Sequence, residues 1–281
     1  MPDLMRGHSA GRNSVHAAIE TDTGALVVAA GLAKTARGKH TGLHASVSLC
    51  SLRVMNCSVL LDLDGTLVDS YPGILASCVA ALRALGHAPD ESLNIRPFIG
   101  PPIEAGMRAM LQSFSDDRVG EAVAAYRRHY GESGLYGTVP YPGIGAALAE
   151  MKQAGLRIFL ATSKRVTFAR RILDHLNLTE HFDGIHGSMP DGTLDHKPEL
   201  LAHILAERNL SPSGCLMVGD RRQDIAGAHA VGMRGLGVLW GYGSRDELET
   251  AGADRLVDRP DDLTDAVLTM VEGVRVEGVR T

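Results

Sequence analysis

The chain has 281 residues, 44% of them hydrophobic and 22% charged, with a formal net charge of −5. These values exclude a wholly disordered chain, and no apolar run approaches the ~18 residues of a membrane-spanning helix. The acidic balance argues against sequence-independent binding of a nucleic-acid polymer, which needs a basic surface. The averages hide a split. Residues 1–54 contain no Phe, Tyr or Trp and carry six Lys or Arg against three Asp or Glu. That charge of +3 leaves −8 for residues 55–281. A stretch without large side chains buries too little surface to offset its ordering entropy. Residues 1–54 therefore read as a disordered extension or a misassigned start, with Met55 just ahead of the first strand. Cys50, Cys57, Cys78 and Cys215 form no CxxC pair and read as reduced thiols in a cytoplasmic protein.

In chain order, 58–62 is an apolar run that predicts a buried strand, followed by the loop Asp62-Leu63-Asp64-Gly65-Thr66. Pro72 sits where a helix starts. Helical spacing then recurs at 73–86, 102–112 and 117–130, with no strand candidate between. After a break at Tyr141-Pro142-Gly143 the pattern alternates. Helix 144–153 leads to strand 157–161, and helix 166–176 to strand 184–186. Helix 198–208 leads to strand 215–218, and helix 224–230 to strand 235–239. A helix at 245–251, a strand at 255–257 and a helix at 261–271 complete the series. Such alternation predicts an α/β fold with a doubly wound parallel sheet. The helical stretch 72–141 interrupts it and reads as an inserted domain, leaving 55–71 and 142–281 as the core.

Four clusters each follow a predicted strand or open a helix, which places them at the sheet edge where such folds bind ligands. In Asp62-x-Asp64-Gly65-Thr66, one carboxylate can attack phosphorus while a second moves the proton. Gly65 would let the loop backbone approach a phosphate. Alone, Asp-x-Asp is also a common turn or cap signal. Thr162-Ser163-Lys164 supplies hydroxyls and backbone N–H groups for an anion, as ordinary helix caps also do. Asp195-His196-Lys197-Pro198 puts a lysine at a helix N-terminus, unfavourable for the dipole unless an anion lies between. Gly219-Asp220-Arg221-Arg222-Gln223-Asp224 adds two carboxylates four residues apart. Four carboxyl groups at one edge repel one another unless a cation joins them, and hard oxygen donors around a phosphate suit Mg²⁺.

Taken in this order, the clusters resemble the four motifs of the haloacid dehalogenase superfamily phosphatases, over about residues 57–271. The resemblance implies a helical cap over the parallel core. It makes Asp62 the nucleophile and Asp64 the general acid/base, with Thr162 and Ser163 holding the phosphate and Lys197 steadying its charge. It also implies that Mg²⁺ binds Asp62, the Asp64 backbone carbonyl, Asp220 and Asp224. The dehalogenases of the superfamily lack an acid at the Asp64 position. The cap stretch contains no lysine, unlike the phosphonate hydrolases that form a Schiff base there. Arg96-Pro97-Phe98-Ile99-Gly100-Pro101-Pro102 resembles the cap segment of phosphoglycolate phosphatases. Gly219-Asp220-Arg221 and the tail 237–244 are more similar to a 5′-nucleotidase-like group. The expected activity is thus hydrolysis of a small-molecule phosphomonoester, phosphoglycolate-like or a nucleoside 5′-monophosphate. A phosphomutase of the β-phosphoglucomutase type and a phosphotyrosine-active phosphatase are the alternatives. Arg96 is the first choice to meet an acidic group of the substrate, ahead of Arg127 and Arg128.

Overall fold

The computed structural model describes residues 57–89 and 93–273. The expectations for residues 1–54, Met55 and Cys50 fall outside the described residues. The chain opens with β1 (Ser58–Leu61), whose four residues are all buried, as a strand covered on both faces requires. β2 (Val68–Asp69), α1 (Tyr71–Ala84), α2 (Ile103–Gln112), α3 (Val119–Glu132) and β3 (Val139–Pro140) follow. Then come α4 (Ile144–Gln153), β4 (Arg157–Arg165), α5 (Val166–His175), β5 (Gly184–Ser188) and α6 (Lys197–Glu207). The series ends with β6 (Cys215–Gly219), α7 (Arg222–Ala230), β7 (Arg234–Val238), α8 (Arg245–Thr250), β8 (Arg255–Val257) and α9 (Leu263–Gly273).

Six strands form one parallel sheet in the order β5-β4-β1-β6-β7-β8, the doubly wound α/β architecture expected. Side chains alternate across it. Val59 and Leu61 join one core with Ile144, Leu148, Ile172 and Val267. Leu60, Phe159 and Met217 join the other with Leu200, Ile204 and Ala228. Apart from the small Ala228, each such side chain, fully buried, contributes roughly 1.5–3 kcal/mol. Leu61 lies opposite Leu160 on β4 and Val218 on β6. Asp62, Thr162 and Asp220 therefore emerge from one edge of three adjacent strands.

The chain leaves the sheet through β2 and returns through β3, which pair antiparallel. Between them α1 and α2 pack on α3, burying Cys78, Leu82, Met107, Leu111 and Tyr130. Pro72 opens α1 as expected. Gly86, at φ +89°, closes it, with the His87 N–H donating to Leu82 O at 3.0 Å.

Two boundaries differ from the sequence pattern. β4 runs on to Arg165, through a bulge between Thr162 and Arg165. The Thr162-Ser163-Lys164 cluster thus lies within an irregular strand end, and a bulge of this kind re-aims side chains. The two-residue strands β2 and β3 were not expected. Among the described residues no disulfide forms, and Cys57, Cys78 and Cys215 are buried. No helix among them is long and apolar enough to cross a membrane.

Candidate active site

Asp62 follows β1 directly, and its backbone N–H donates to Val218 O, extending the β1–β6 ladder by one bond. Its carboxylate is 4% exposed. Lys197, the first residue of α6, reaches it from the far side of β4. The Lys197 ammonium donates to Asp62 Oδ1 at 3.0 Å and Ala161 O at 2.9 Å, and pairs with Asp224 Oδ1 at 2.7 Å. An ammonium has three protons, so all are used. Burial alone would lower the Lys197 pKa, but Asp224 and Asp62 outweigh it and hold the group above its usual value. Gly227 on α7 makes room for this lysine, since a Cβ there would lie 2.7 Å from Lys197 Cγ. Asp224 is fully engaged. Its second oxygen accepts the Arg221 N–H at 3.1 Å, so it caps α7 while orienting Lys197.

Asp220 directly follows β6 and has no exposure at all. It accepts from the Tyr242 N–H at 2.7 Å and the Thr66 hydroxyl at 3.3 Å. Gly65, at φ +83°, and Gly241 both lie so close that a Cβ on either would collide with the Asp220 side chain. The neighbour that requires Gly65 is therefore this carboxylate, and Gly65 is absent from the cleft wall where a phosphate contact was expected.

Donor oxygens of Asp62, Asp220 and Asp224 lie within 4.8 Å of one another. Burial pushes the Asp62 carboxyl up to about 6, against the pull of Lys197, with Asp224 and Asp64 adding to the rise. Burial, then Asp224 and Asp62, holds Asp220 well above the carboxylate range. Three buried carboxylates, only two of them paired with a lysine, are short of positive charge. A hard divalent cation on oxygen donors corrects that, so the residues present fit such an ion.

Asp64 turns the other way. Its Oδ2 pairs with Lys164 Nζ at 2.9 Å, while Oδ1 is buried without a hydrogen-bond partner. Lys164 also donates to the Tyr130 hydroxyl of α3 at 2.7 Å and sits 4.5 Å from that ring's centre. Desolvation opposes its charge, but Asp64 and Tyr130 raise its pKa overall. Thr162 Oγ1 accepts the Lys164 N–H at 3.2 Å, which leaves the hydroxyl proton for another acceptor.

Asp62, Asp64, Thr162, Ser163 and Lys164 line one cleft, closed on its far side by residues of α2, α3 and the loop before α2. Arg96 is not in that wall. Its guanidinium is exposed, 5.5 Å from the Tyr71 ring centre and 5.9 Å from that of Tyr242. Arg128 is also exposed and outside the wall. The guanidinium groups in the wall are Arg127, paired with Glu104 at 2.6 Å, and Arg165. Arg165 donates to Pro190 O at 3.0 Å, and its Nε is buried without a partner. Arg221 ties the sheet edge to the insertion, donating to Glu247 at 2.9 Å and to the carbonyls of Ile99 and Arg96.

Residues 59–238 match the haloacid dehalogenase-like hydrolase family. The chain belongs to that family. It is 40% identical over 193 residues to a 5′-nucleotidase of Pseudomonas aeruginosa, covering 68% of this chain and 86% of that one. It is also 40% identical over 191 residues to the tyrosine-protein kinase PtkA of Mycobacterium tuberculosis, covering 68% of this chain and 65% of that one. A predicted phosphatase of Clostridium acetobutylicum superposes with a TM-score of 0.71 at 32% identity, over 76% of this chain and 99% of that one. This haloacid dehalogenase-like protein is thus an enzyme of the phosphoric monoester hydrolase type. Sequence reasoning left Gly227, Gly241, Tyr130, Arg165 and Arg221 without these roles. Lys164 and Arg221 did carry a signal, as part of the Thr162-Ser163-Lys164 cluster and of the Gly219-Asp220-Arg221 stretch.

Proposed function

We propose that this hydrolase is a Mg²⁺-dependent phosphatase acting in the cytoplasm on a small-molecule phosphomonoester through an aspartyl-phosphate on Asp62. The observation that carries the reading is the pair Asp62 and Asp64, two residues apart on one loop but held differently. Asp62 is fixed by Lys197, whereas Asp64 keeps one oxygen unpartnered beside the cleft. Asp62 Oδ attacks phosphorus, forming a P–O bond as the bond to the leaving oxygen breaks. Asp64 donates its proton to that oxygen and, in the second step, takes one from the attacking water. Water then displaces Asp62, releasing inorganic phosphate and restoring both carboxyls. Lys197 balances phosphoryl charge, and Thr162 and Ser163 hold the phosphate oxygens. When bound by Asp62, Asp220 and Asp224, Mg²⁺ supplies charge neutralisation of the phosphoryl oxygens.

The helical insertion acts as the cap that selects the leaving group. Arg127 and Arg165 in the cleft wall favour a leaving group bearing its own anion, as in phosphoglycolate. The resemblance to a 5′-nucleotidase supports nucleoside 5′-monophosphates as the second class to examine. The deciding experiment measures Mg²⁺-dependent phosphate release from phosphoglycolate, nucleoside monophosphates, sugar phosphates and phosphotyrosine, with and without a sugar bisphosphate. Rapid release from the first or second class supports the reading. Turnover that needs the bisphosphate assigns a mutase. Phosphoryl transfer from ATP to tyrosine without phosphomonoester hydrolysis overturns the phosphatase assignment.

A further inference from the structure

Away from the catalytic edge, a buried imidazole stands without a good hydrogen bond. His186 on β5 is 8% exposed, and its Nε2 is buried with no hydrogen bond. Its Nδ1 stands 3.6 Å from Glu207 Oε2, beyond a good hydrogen bond. Neither ring nitrogen thus has a good hydrogen bond, and Nδ1, the one facing Glu207, is placed to join an ion there, whereas Nε2 lies beside Gly184 and takes no part.

The surroundings supply the rest of a coordination set. His203 and Glu207 lie one turn apart on α6, with His203 Nε2 3.1 Å from Glu207 Oε2. A donor atom of each of the three residues lies within 4.8 Å of the other two. Donors bound about 2.0–2.2 Å from a tetrahedral ion stand about 3.3–3.5 Å apart, and the two observed separations straddle that spacing. Arg208 Nη2 holds Glu207 Oε1 at 3.2 Å, leaving Oε2 for the imidazoles. We propose that His186, His203 and Glu207 bind a divalent transition-metal ion of the Zn²⁺ type, with water completing the set.

Two imidazoles and one carboxylate suit Zn²⁺, Co²⁺ or Ni²⁺, whereas Mg²⁺ prefers all-oxygen donors. The site shares no residue with the Asp62, Asp220 and Asp224 cluster, so the two select different ions. Its place in the fold gives it a mechanical role. β5 is an edge strand of the sheet, and α6 carries Lys197 at its other end. An ion bridging them clamps the edge strand to the helix that presents the catalytic-edge lysine.

The test uses the full chain with Mg²⁺ in excess, so that the acidic cluster is occupied. Bound Zn²⁺ is counted by equilibrium dialysis and metal analysis in wild type, His203→Ala, Glu207→Gln and Asp220→Asn. Wild type and Asp220→Asn are expected to hold one more Zn²⁺ than either α6 variant, with affinity falling at least about tenfold on loss of a ligand. Co²⁺ should give wild type the visible absorption of a tetrahedral site, absent from both α6 variants. Glu207 is exposed and Gln is nearly isosteric, so this variant keeps the fold and full Mg²⁺-dependent turnover without Zn²⁺. Equal Zn²⁺ stoichiometry in wild type and both α6 variants, or loss of the ion in Asp220→Asn alone, would overturn the proposal.

Discussion

The sheet edge and the helical insertion meet at one cleft but are held in opposite ways. At the edge the groups around Asp62 have several buried partners, while Asp64 keeps one oxygen free. Lys197 uses three protons on three acceptors, Asp224 uses both oxygens, and Asp220 is enclosed by Gly65, Gly241 and two donors. The insertion is joined to the core by cations rooted there, Lys164 to Tyr130, Arg171 to Gly131 and Tyr136, and Arg221 to the 96–99 loop. The difference teaches where precision is needed. Phosphoryl transfer tolerates little displacement of its charged groups, so these are fixed by mutual burial. Choosing a leaving group needs a wall that opens and closes, and few polar links allow that at modest cost.

The largest test of the fixed half is Asp62→Asn. It keeps shape but removes the charge proposed to attack phosphorus, and should cost about 10⁴ or more in kcat. The same change should stabilise the metal-free protein at pH 8. The folded carboxyl binds its proton more tightly than the unfolded one, near 6 against 3.8. Unfolding then releases protons between those values, so the group's cost grows as pH rises from about 4 to about 6 and stays complete above. Thermal melts without metal should show Asp62→Asn above wild type at pH 8 and level with it at pH 4. A lower melting temperature at pH 8 would mean that the lost Lys197 contact outweighs the buried charge.

Gly65→Ala should come next. The new methyl meets both a left-handed backbone and the Asp220 carboxylate, and neither can yield cheaply. Turnover should fall about 10²-fold at low Mg²⁺ and recover in part at high Mg²⁺, because the displaced group is the Asp220 carboxylate. A loss that Mg²⁺ cannot reduce would place the damage in the loop and not at the cation site.

These two residues also mark how far the sequence could be read. Asp62 stands in a motif whose companions follow in fixed order, each at a strand end or a helix start, so the parallel sheet and the gathering of Asp62, Thr162, Lys197 and Asp220 at its edge were legible. Gly65 was legible as a glycine but not by its neighbour, because Asp220 lies far along the chain. The same holds for Gly227 beneath Lys197. Periodicity cannot reveal β2 and β3, two residues each, or the bulge that turns the end of β4. Arg96 lies outside the cleft wall for a related reason. A resemblance finds the segment a residue sits in, but the wall it faces depends on packing, and Arg96 packs outward over Tyr71.

The link between the two halves is tested by Lys164→Met. It leaves the Asp64 carboxylate buried without its cation, which should destabilise the protein by about 3–5 kcal/mol. It should lower kcat at least about tenfold. Adding Asp64→Asn should restore most of the stability and none of the activity, which separates the charge from the chemistry. Melts and steady-state rates of the two single variants and the double variant close the cycle.

The smallest effect belongs to the cleft wall, where Arg165 ends β4 and Arg127 stands on the insertion, and decides which residues read the leaving group. Arg165 and Arg127 share the cleft wall, and Arg165 is held below its usual pKa by desolvation and then by the charge of Arg127. Two like charges facing one cleft are relieved by an anion, and the unpartnered Arg165 Nε offers a donor for it. Losing one charge-assisted contact is worth about 1.5–3 kcal/mol. Arg165→Ala should therefore raise KM for phosphoglycolate at least about tenfold while changing that for p-nitrophenyl phosphate, whose leaving group has no second anion, by much less. Arg96→Ala, on a side chain that faces solvent over Tyr71 and Tyr242, should leave both values within about twofold. If Arg96→Ala instead reproduces the selective loss and Arg165→Ala does not, the insertion must turn on closing so that Arg96 enters the cleft. The observed arrangement would then be an open form, and the comparison between a fixed edge and a loosely tied cap would be stronger for it.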